Sequence, residues 1–313
     1  MHRRHVRRVA RLSAVVLLGL MAACSDSGSS GGSRDTASDG GAPALGAPCT
    51  TPDERVEIDG VPHICMLVAG PGLEWTTDPS SGSGSSPGLA SSDEIPAVMQ
   101  NWGFDLQTYD PATGMAGVMQ IDGASTPAPD PHNKMDNRYL FMDYGVPNGS
   151  NNDLQMTFFL PLGTPVLSLV AGVVCDVPEL YSGDFSVRVA PTGVECTGGS
   201  AVVLFETEHV LNPLVAEGDS VVAGQQVATV SDYHREWAAL GMGVVEIGVF
   251  FAKDMLPWHA CPARFLDPGH AEQLLAQLAS IHAAWEAEIG DTTLYDEEAQ
   301  SPLGCTSTED VQG

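Results

Sequence analysis

The sequence predicts a mainly β protein with one C-terminal α-helix. Between residues 139 and 251, short apolar or alternating segments are separated by Gly, Pro and Asp, which is typical of strands joined by turns. Residues 271–289 instead have apolar side chains at helical spacing, and the residues on that face are Leu274, Leu275, Leu278, Ile281, Ala284 and Trp285. His282 lies in the same segment, and we expect it on the helix surface.

The N-terminus predicts export and lipid attachment. Five arginines precede Ser13, and residues 14–23 form an apolar run that is too short for a bilayer span of roughly 20 residues. This order is typical of a signal peptide. Residues 20–24 (LMAAC) resemble the bacterial lipobox, with Met21 where Leu is usual. The resemblance implies a signal peptide over 1–23 and a diacylated Cys24, and two acyl chains anchor a protein stably. The alternative is an ordinary signal peptide that happens to contain a cysteine.

Composition divides the rest of the chain into five parts. Residues 24–45 are rich in Ser, Gly and Asp and predict a flexible tether. The other parts are a small Cys-closed β module (46–79), a linker (80–87), the main β domain with its helix (88–305) and a tail (306–313). The acidic stretch after Gly290 is expected to be loose as far as Cys305.

Charge restricts the partners. The formal net charge is −27, and residues 1–23 hold five of the 13 basic residues and none of the 40 acidic ones. The chain from Cys24 onward therefore has eight basic residues and a charge of −32. Nucleic acid is excluded as a partner, because its binding needs basic surface.

Six cysteines remain besides Cys24, and an even number in an exported protein suggests disulfides. Proximity favours three pairs among the 15 pairings that six cysteines allow. These pairs are Cys49–Cys65, Cys175–Cys196 and Cys261–Cys305.

Two motifs in the β region bear on function. Residues 218–225 (GDSVVAGQ) predict a tight turn between short strands, where Gly adopts backbone angles that other residues resist. This signature occurs in biotinyl/lipoyl carriers and in LytM-type peptidases. Residues 161–166 (PLGTPV), followed by AGVV at 171–174, resemble the LytM (lysostaphin-like) zinc metallopeptidase family over about residues 153–251. The resemblance implies an antiparallel β-sandwich of the duplicated hybrid motif type, and an activity on peptide crosslinks of the bacterial cell wall.

The resemblance also implies where a zinc site would lie. Asp153 stands where the family has its first ligand, a His, and Thr157 stands where it has an Asp. Glu246 and Gly248 replace the two His residues of the late His-x-His motif. His209 retains the position of a His that helps stabilise the oxyanion in active members. Because a neutral hydroxyl and a Gly are poor substitutes for imidazole or carboxylate, the resemblance implies a pseudopeptidase.

The predicted function is therefore a lipid-anchored, non-catalytic domain with no cofactor, which binds cell-wall peptidoglycan or regulates an envelope hydrolase. It would sit on the outer face of the cytoplasmic membrane, or on the outer membrane if the cell has two. One alternative is a metal-dependent hydrolase with a rebuilt site that uses Asp153, His209 and Glu246, or His132 and Asp136, whose spacing repeats the family's His-to-Asp interval. A lipoyl-like adaptor of an envelope complex is a second alternative.

Overall fold

The computed structural model describes residues 55–58, 61–67, 73–77, 88–127, 138–148, 151–254 and 256–312. The chain divides into a unit of residues 1–42, all outside the described residues, and a unit of residues 43–313. Predictions were also made for Cys24, Cys49, His132 and Asp136, which lie outside the described residues, and for Cys65, of which only the backbone is described. The lipid site, the Cys49–Cys65 disulfide and the site at His132 therefore stay predictions.

Within residues 46–79, the described segments form a three-stranded antiparallel sheet. Its strands are β1 (Arg55–Ile58), β2 (Val61–Leu67) and β3 (Leu73–Thr77). The β character predicted for this module is present in the described segments.

The main domain contains fifteen further strands in its described residues. They are β4 (Met115–Ala116), β5 (Met119–Gln120), β6 (Phe141–Met142), β7 (Pro147–Asn148), β8 (Asn151–Asn152), β9 (Met156–Pro161), β10 (Pro165–Leu167), β11 (Gly172–Asp176), β12 (Phe185–Pro191), β13 (Val203–Leu211), β14 (Ser220–Val221), β15 (Gln226–Val230), β16 (Met242–Lys253), β17 (Leu256–Ala260) and β18 (Val311–Gln312). The α-helices are α1 (Arg235–Ala238) and α2 (Ala271–Ile289). The predicted mainly β fold with a C-terminal helix is confirmed, and α2 has the predicted bounds.

Eleven strands share one sheet, in the order β14-β11-β12-β13-β16-β17-β18, with β9, β6, β15 and β10 attached beside this path. Strand β16 is its longest member and pairs with β13 along one edge, and with β9 and then β17 along the other. Gly243 lets the chain at Ser231 approach β16 closely, because a Cβ atom there would lie 2.6 Å from the Ser231 carbonyl oxygen. Strand β16 thereby brings β9 and β13, which carry the predicted site residues, to its two sides.

Helix α2 packs on the sheet through its apolar face. Leu278 and Ile281 are fully buried, the Trp102 indole donates to the Leu274 carbonyl (3.1 Å), and the Trp285 indole donates to a main-chain carbonyl at residue 138 (2.7 Å). The helix ends at Gly290, whose positive φ (70°) suits a residue without a Cβ atom.

The expected surface position of His282 is wrong. Its side chain is fully buried, and its Nε2 lies 3.2 Å from Oδ1 of the equally buried Asp143. The ring stacks on Tyr295 (4.2 Å between centroids), which itself belongs to the stretch that we expected to be loose. That expectation is wrong too, because Leu294 and Tyr295 are buried and the Tyr295 hydroxyl donates to the Phe141 carbonyl. Residues 294–305 therefore form a second layer over α2.

Disulfides Cys175–Cys196 and Cys261–Cys305 are present as predicted. Beyond the second bridge, β18 adds to the edge of β17. In the described residues no helix is long and apolar enough to cross a membrane.

Candidate functional site

A β-bulge positions His209. Between the pairs Val187–Thr207 and Phe185–Val210, two residues of β13, Glu208 and His209, stand opposite one residue of β12. His209 has a φ of 54°, which residues other than Gly seldom adopt. A bulge redirects a side chain, and strain of this kind is concentrated at functional positions. At this point β13 leaves β16 and pairs with β15.

His209 forms a buried pair with Asp184, a residue that the sequence analysis missed. Nδ1 of the imidazole lies 2.9 Å from Oδ2 of Asp184, and the two residues are 7% and 2% exposed. The hydroxyls of Ser182 and Ser231 also donate to the Asp184 carboxylate. Among the described residues none is hydrogen-bonded to the Nε2 atom of His209, so this ring nitrogen is available to a ligand.

The pair favours a charged imidazole. Burial is the largest single influence on the pKa of His209 and lowers it. The hydrogen bond to Asp184 and the charges of Glu246, Asp184 and Glu208 together outweigh burial, and the pKa of the ring is raised to about 9. Burial alone would raise the pKa of Asp184, yet its hydrogen bonds and the charge of His209 hold it below the ordinary value. The two shifts agree in describing an imidazolium–carboxylate pair at neutral pH.

Two tyrosines extend this pair towards the surface. The Tyr233 ring lies parallel to the His209 ring, with centroids 4.4 Å apart and an interplanar angle of 1°. Its hydroxyl is 2.9 Å from the hydroxyl of Tyr181, and this bond, together with burial, raises the pKa of Tyr233. His234 lies beside Tyr233, and burial and the charge of His209 lower its pKa.

Acidic side chains occupy the neighbouring strands, and we call Asp153, Glu206, Glu208 and Glu246 the carboxylate row. Glu246 on β16 stands directly opposite Glu208 on one side and Thr157 on the other. Directly opposite residues have Cβ atoms about 4.5–5.5 Å apart. The Thr157 hydroxyl donates to Oδ2 of Asp153 at 3.2 Å. The structure thus brings Asp153, Thr157 and Glu246 together, with His209 next to Glu208 on β13.

Burial raises the pKa of two acids in the carboxylate row. Burial raises the pKa of Glu246, the charge of His209 opposes this, and the charges of Asp153 and the two glutamates of β13 raise it further, to about 8. Burial also raises the pKa of Asp153 to about 6, against hydrogen bonds from Gln155 and Thr157. Like charges on adjacent strands repel, and the proton that Glu246 keeps at neutral pH relieves part of this repulsion.

A network of hydrogen bonds surrounds Glu206 and Glu208 of the carboxylate row. Gln155 donates to both Glu206 (3.1 Å) and Glu208 (2.6 Å), and Arg188 donates to Glu206 at 2.8 Å. The Ser186 hydroxyl donates to the same carboxylate at 2.6 Å. The sequence analysis missed these residues because none of them occupies a position named by the motifs. Ser186 and Arg188 alternate along β12, as Glu206 and Glu208 do along β13. This spacing of two is the signal that could have predicted that each pair faces the same side of the sheet.

These residues do not fit a zinc ion held in the family's manner. The hydroxyl of Thr157, at the position of a ligand Asp, is neutral and is used for the bond to Asp153. Gly248 offers no side chain, and a Cβ atom there would lie 3.2 Å from Cγ of Gln155 and 3.3 Å from Oε2 of Glu206. Among the described residues, no three His, Cys, Asp or Glu side chains are grouped so that they could hold a metal ion.

The chain is similar to LytM and lysostaphin peptidase domains over part of its length. It matches the catalytic domain of the antimicrobial peptidase lysostaphin from Staphylococcus simulans with 19% identity, over 36% of this chain and 77% of that one (TM-score 0.28). It matches a mutant catalytic domain of the prophage-encoded M23 protein EnpA from Enterococcus faecalis with 20% identity, over 45% and 96% (TM-score 0.28).

A zinc-containing peptidase from Vibrio cholerae is matched with 19% identity, over 48% of this chain and 37% of that one (TM-score 0.26). The match therefore spans well under half of the length of the Vibrio protein. Neither a protein-family model nor a curated protein matches the chain.

Proposed function

We propose that this chain is a lipid-anchored, non-catalytic protein that binds cell-wall peptidoglycan. The proposal rests on the replacement of zinc-ligand residues within a segment whose sequence resembles LytM peptidases. Thr157 and Gly248 stand at two ligand positions, and Gln155 fills the space beside Gly248. What remains is a polar cluster in which the charged His209 and Arg188 donate to acidic partners, and this arrangement suits binding better than hydrolysis.

Binding to insoluble peptidoglycan tests the proposal. The full-length protein, purified in detergent, is expected to sediment with isolated cell-wall sacculi, and the same protein carrying Glu246→Ala and His209→Ala should sediment less. A matched control is Glu217→Ala, an exposed acid outside the site. Protein that stays in the supernatant and instead retains an envelope hydrolase in a pull-down would contradict wall binding and favour a regulator of that hydrolase.

The same preparation distinguishes a rebuilt hydrolase. We expect no stoichiometric zinc by elemental analysis and no release of peptide fragments from the sacculi. Stoichiometric zinc that is lost on His209→Ala or His132→Ala, together with such release, would replace the present proposal by the metal-dependent alternative.

Lipid attachment is proposed from Cys24 and the residues before it. In cells, replacing Cys24 by Ser is expected to move the protein from the membrane fraction to the soluble exported fraction, because the acyl chains supply the anchoring energy. Metabolic labelling with a radioactive fatty acid should mark the wild-type protein and not the variant. Equal membrane retention of both proteins would contradict the anchor.

A further inference from the structure

Tyr181 is the most exposed of the large hydrophobic side chains in the described residues, at 71%. It lies at the tip of the connection between β11 and β12, in a turn closed by Gly183, whose N–H donates to the Leu180 carbonyl at 2.8 Å. The Leu180 N–H donates in turn to the Asp184 carbonyl at 2.7 Å. Asp184, whose carboxylate is hydrogen-bonded to His209, therefore lies only three residues after the exposed Tyr181.

The ring of Tyr181 is fixed although it is exposed. Its hydroxyl bonds to the Tyr233 hydroxyl, and the two rings meet edge to face, with centroids 6.2 Å apart and an angle of 88°. Tyr233 is fixed by stacking on His209. A side chain that is already ordered loses little conformational entropy when a ligand binds, which is why rigid tyrosines serve as binding anchors.

Charged side chains lie near this aromatic pair in sequence. Glu179 and Asp232 are exposed there, as is the basic Arg235, and Glu246 raises the pKa of Tyr233 through its charge. The chain as a whole carries a formal charge of −27. Such a surface repels anionic groups and offers carboxylate oxygens to O–H donors, which form strong charge-assisted hydrogen bonds.

We propose that Tyr181 and Tyr233 form a platform for the sugar rings of a glycan strand. This inference rests on the proposed function and names the part of peptidoglycan that is recognised. A pyranose ring has an apolar C–H face that can cover the exposed tyrosine, and hydroxyls that can donate to nearby carboxylates. The stem peptides of peptidoglycan end in free carboxylates, which this acidic surface disfavours.

Separate probes test this inference in titrations of the full-length protein in detergent. They are an uncharged oligomer of N-acetylglucosamine, one of the two sugars of the wall glycan, the free stem peptide, and intact sacculi. The oligosaccharide is expected to bind, and Tyr181→Ala should weaken it about tenfold or more, as for an aromatic anchor. Tyr181→Phe keeps the ring and loses the hydroxyl bond, so it should weaken binding by less. Leu214→Ala, at a side chain 62% exposed on another turn, should bind like wild type.

The outcomes separate the two proposals. Sacculi that bind equally well to wild type and Tyr181→Ala, or stem peptide that binds in place of the oligosaccharide, would overturn the glycan platform and leave wall binding intact. An oligosaccharide that binds through Tyr181 while sacculi do not would support the platform and contradict binding to the assembled wall. Binding of only a lysine-rich peptide to Tyr181 would overturn the inference in favour of a basic protein partner.

Discussion

Replacing Asp184 by Asn is expected to lower the pKa of the His209 imidazole by roughly 1–3 units, the usual effect of removing an adjacent opposite charge. The ring is then left with the burial that lowers its pKa and with the weaker influence of Glu246 and Glu208. The charged fraction of the ring at neutral and mildly alkaline pH should therefore fall. The change weakens the charged donor of the site without removing the ring.

The measurement is an NMR titration of the His209 ring protons in wild type and variant. Asp232→Asn is the matched control, because Asp232 is an exposed acid near the site, and it should leave the titration in place. An unchanged His209 midpoint in Asp184→Asn would show that Asp184 does not set the charge of the ring.

The same pair predicts a dependence of stability on pH. Because the pKa of His209 in the folded chain is raised to about 9, above the ordinary 6.5, protonation of the ring stabilises the fold. This contribution is fully present below pH about 6.5 and is lost as the pH rises through about 9. The free energy of unfolding should fall over this window in wild type, and Asp184→Asn should reduce that fall.

Replacing Asp143 by Ala is expected to lower the free energy of unfolding by about 3–5 kcal/mol, as when one partner of a buried pair is removed. Asp143 and His282 are both fully buried, and Asp143 also accepts from Gln300 at 2.9 Å. The Nδ1 atom of His282 has no hydrogen bond and lies 3.6 Å from Oε1 of Glu297. Without Asp143, the ring would be enclosed with no hydrogen-bond partner among the described residues.

Urea denaturation with the near-ultraviolet signal of the tryptophans is the appropriate measurement. Asp291→Ala is the control, because its contact with Arg138 (3.4 Å) is at the surface, and it should leave the midpoint unchanged. A change of less than about 0.5 kcal/mol for Asp143→Ala, the range of ordinary surface substitutions, would show that the buried pair contributes nothing net to stability.

The helix and the disulfides were easier to predict from the sequence than the packing of one element on another. Helix α2 was predictable to the residue because its apolar face repeats at helical spacing and Gly290 ends it. The pairs Cys175–Cys196 and Cys261–Cys305 followed from proximity. His282 was misplaced because the periodicity of one helix does not reveal that Phe141, Asp143 and Tyr295 come together around this ring.

The site was predictable only where motifs named a position. The resemblance to the LytM motifs named Thr157 and Glu246 as positions of one site, and the strand register of β16 with β9 pairs these two residues. Asp184 was out of reach, because it lies 25 residues before its partner His209 in sequence and belongs to no motif. The bulge that turns His209 towards Asp184 lies where β13 stops pairing with β16 and begins to pair with β15. A local sequence pattern does not show such a change of partner strand.

The guanidinium of Arg264 joins two segments that are far apart in the sequence. Arg264 contacts Ser92 and Asp93, near the start of the main domain, and Asp310, near its end. The Ser92 hydroxyl also donates to Asp310, and the Leu89 N–H donates to the Ala252 carbonyl at 2.9 Å. These contacts hold residues 89–93 against β16 and against the segment that leads into β18. Tension applied at residue 88 would therefore act first on these contacts.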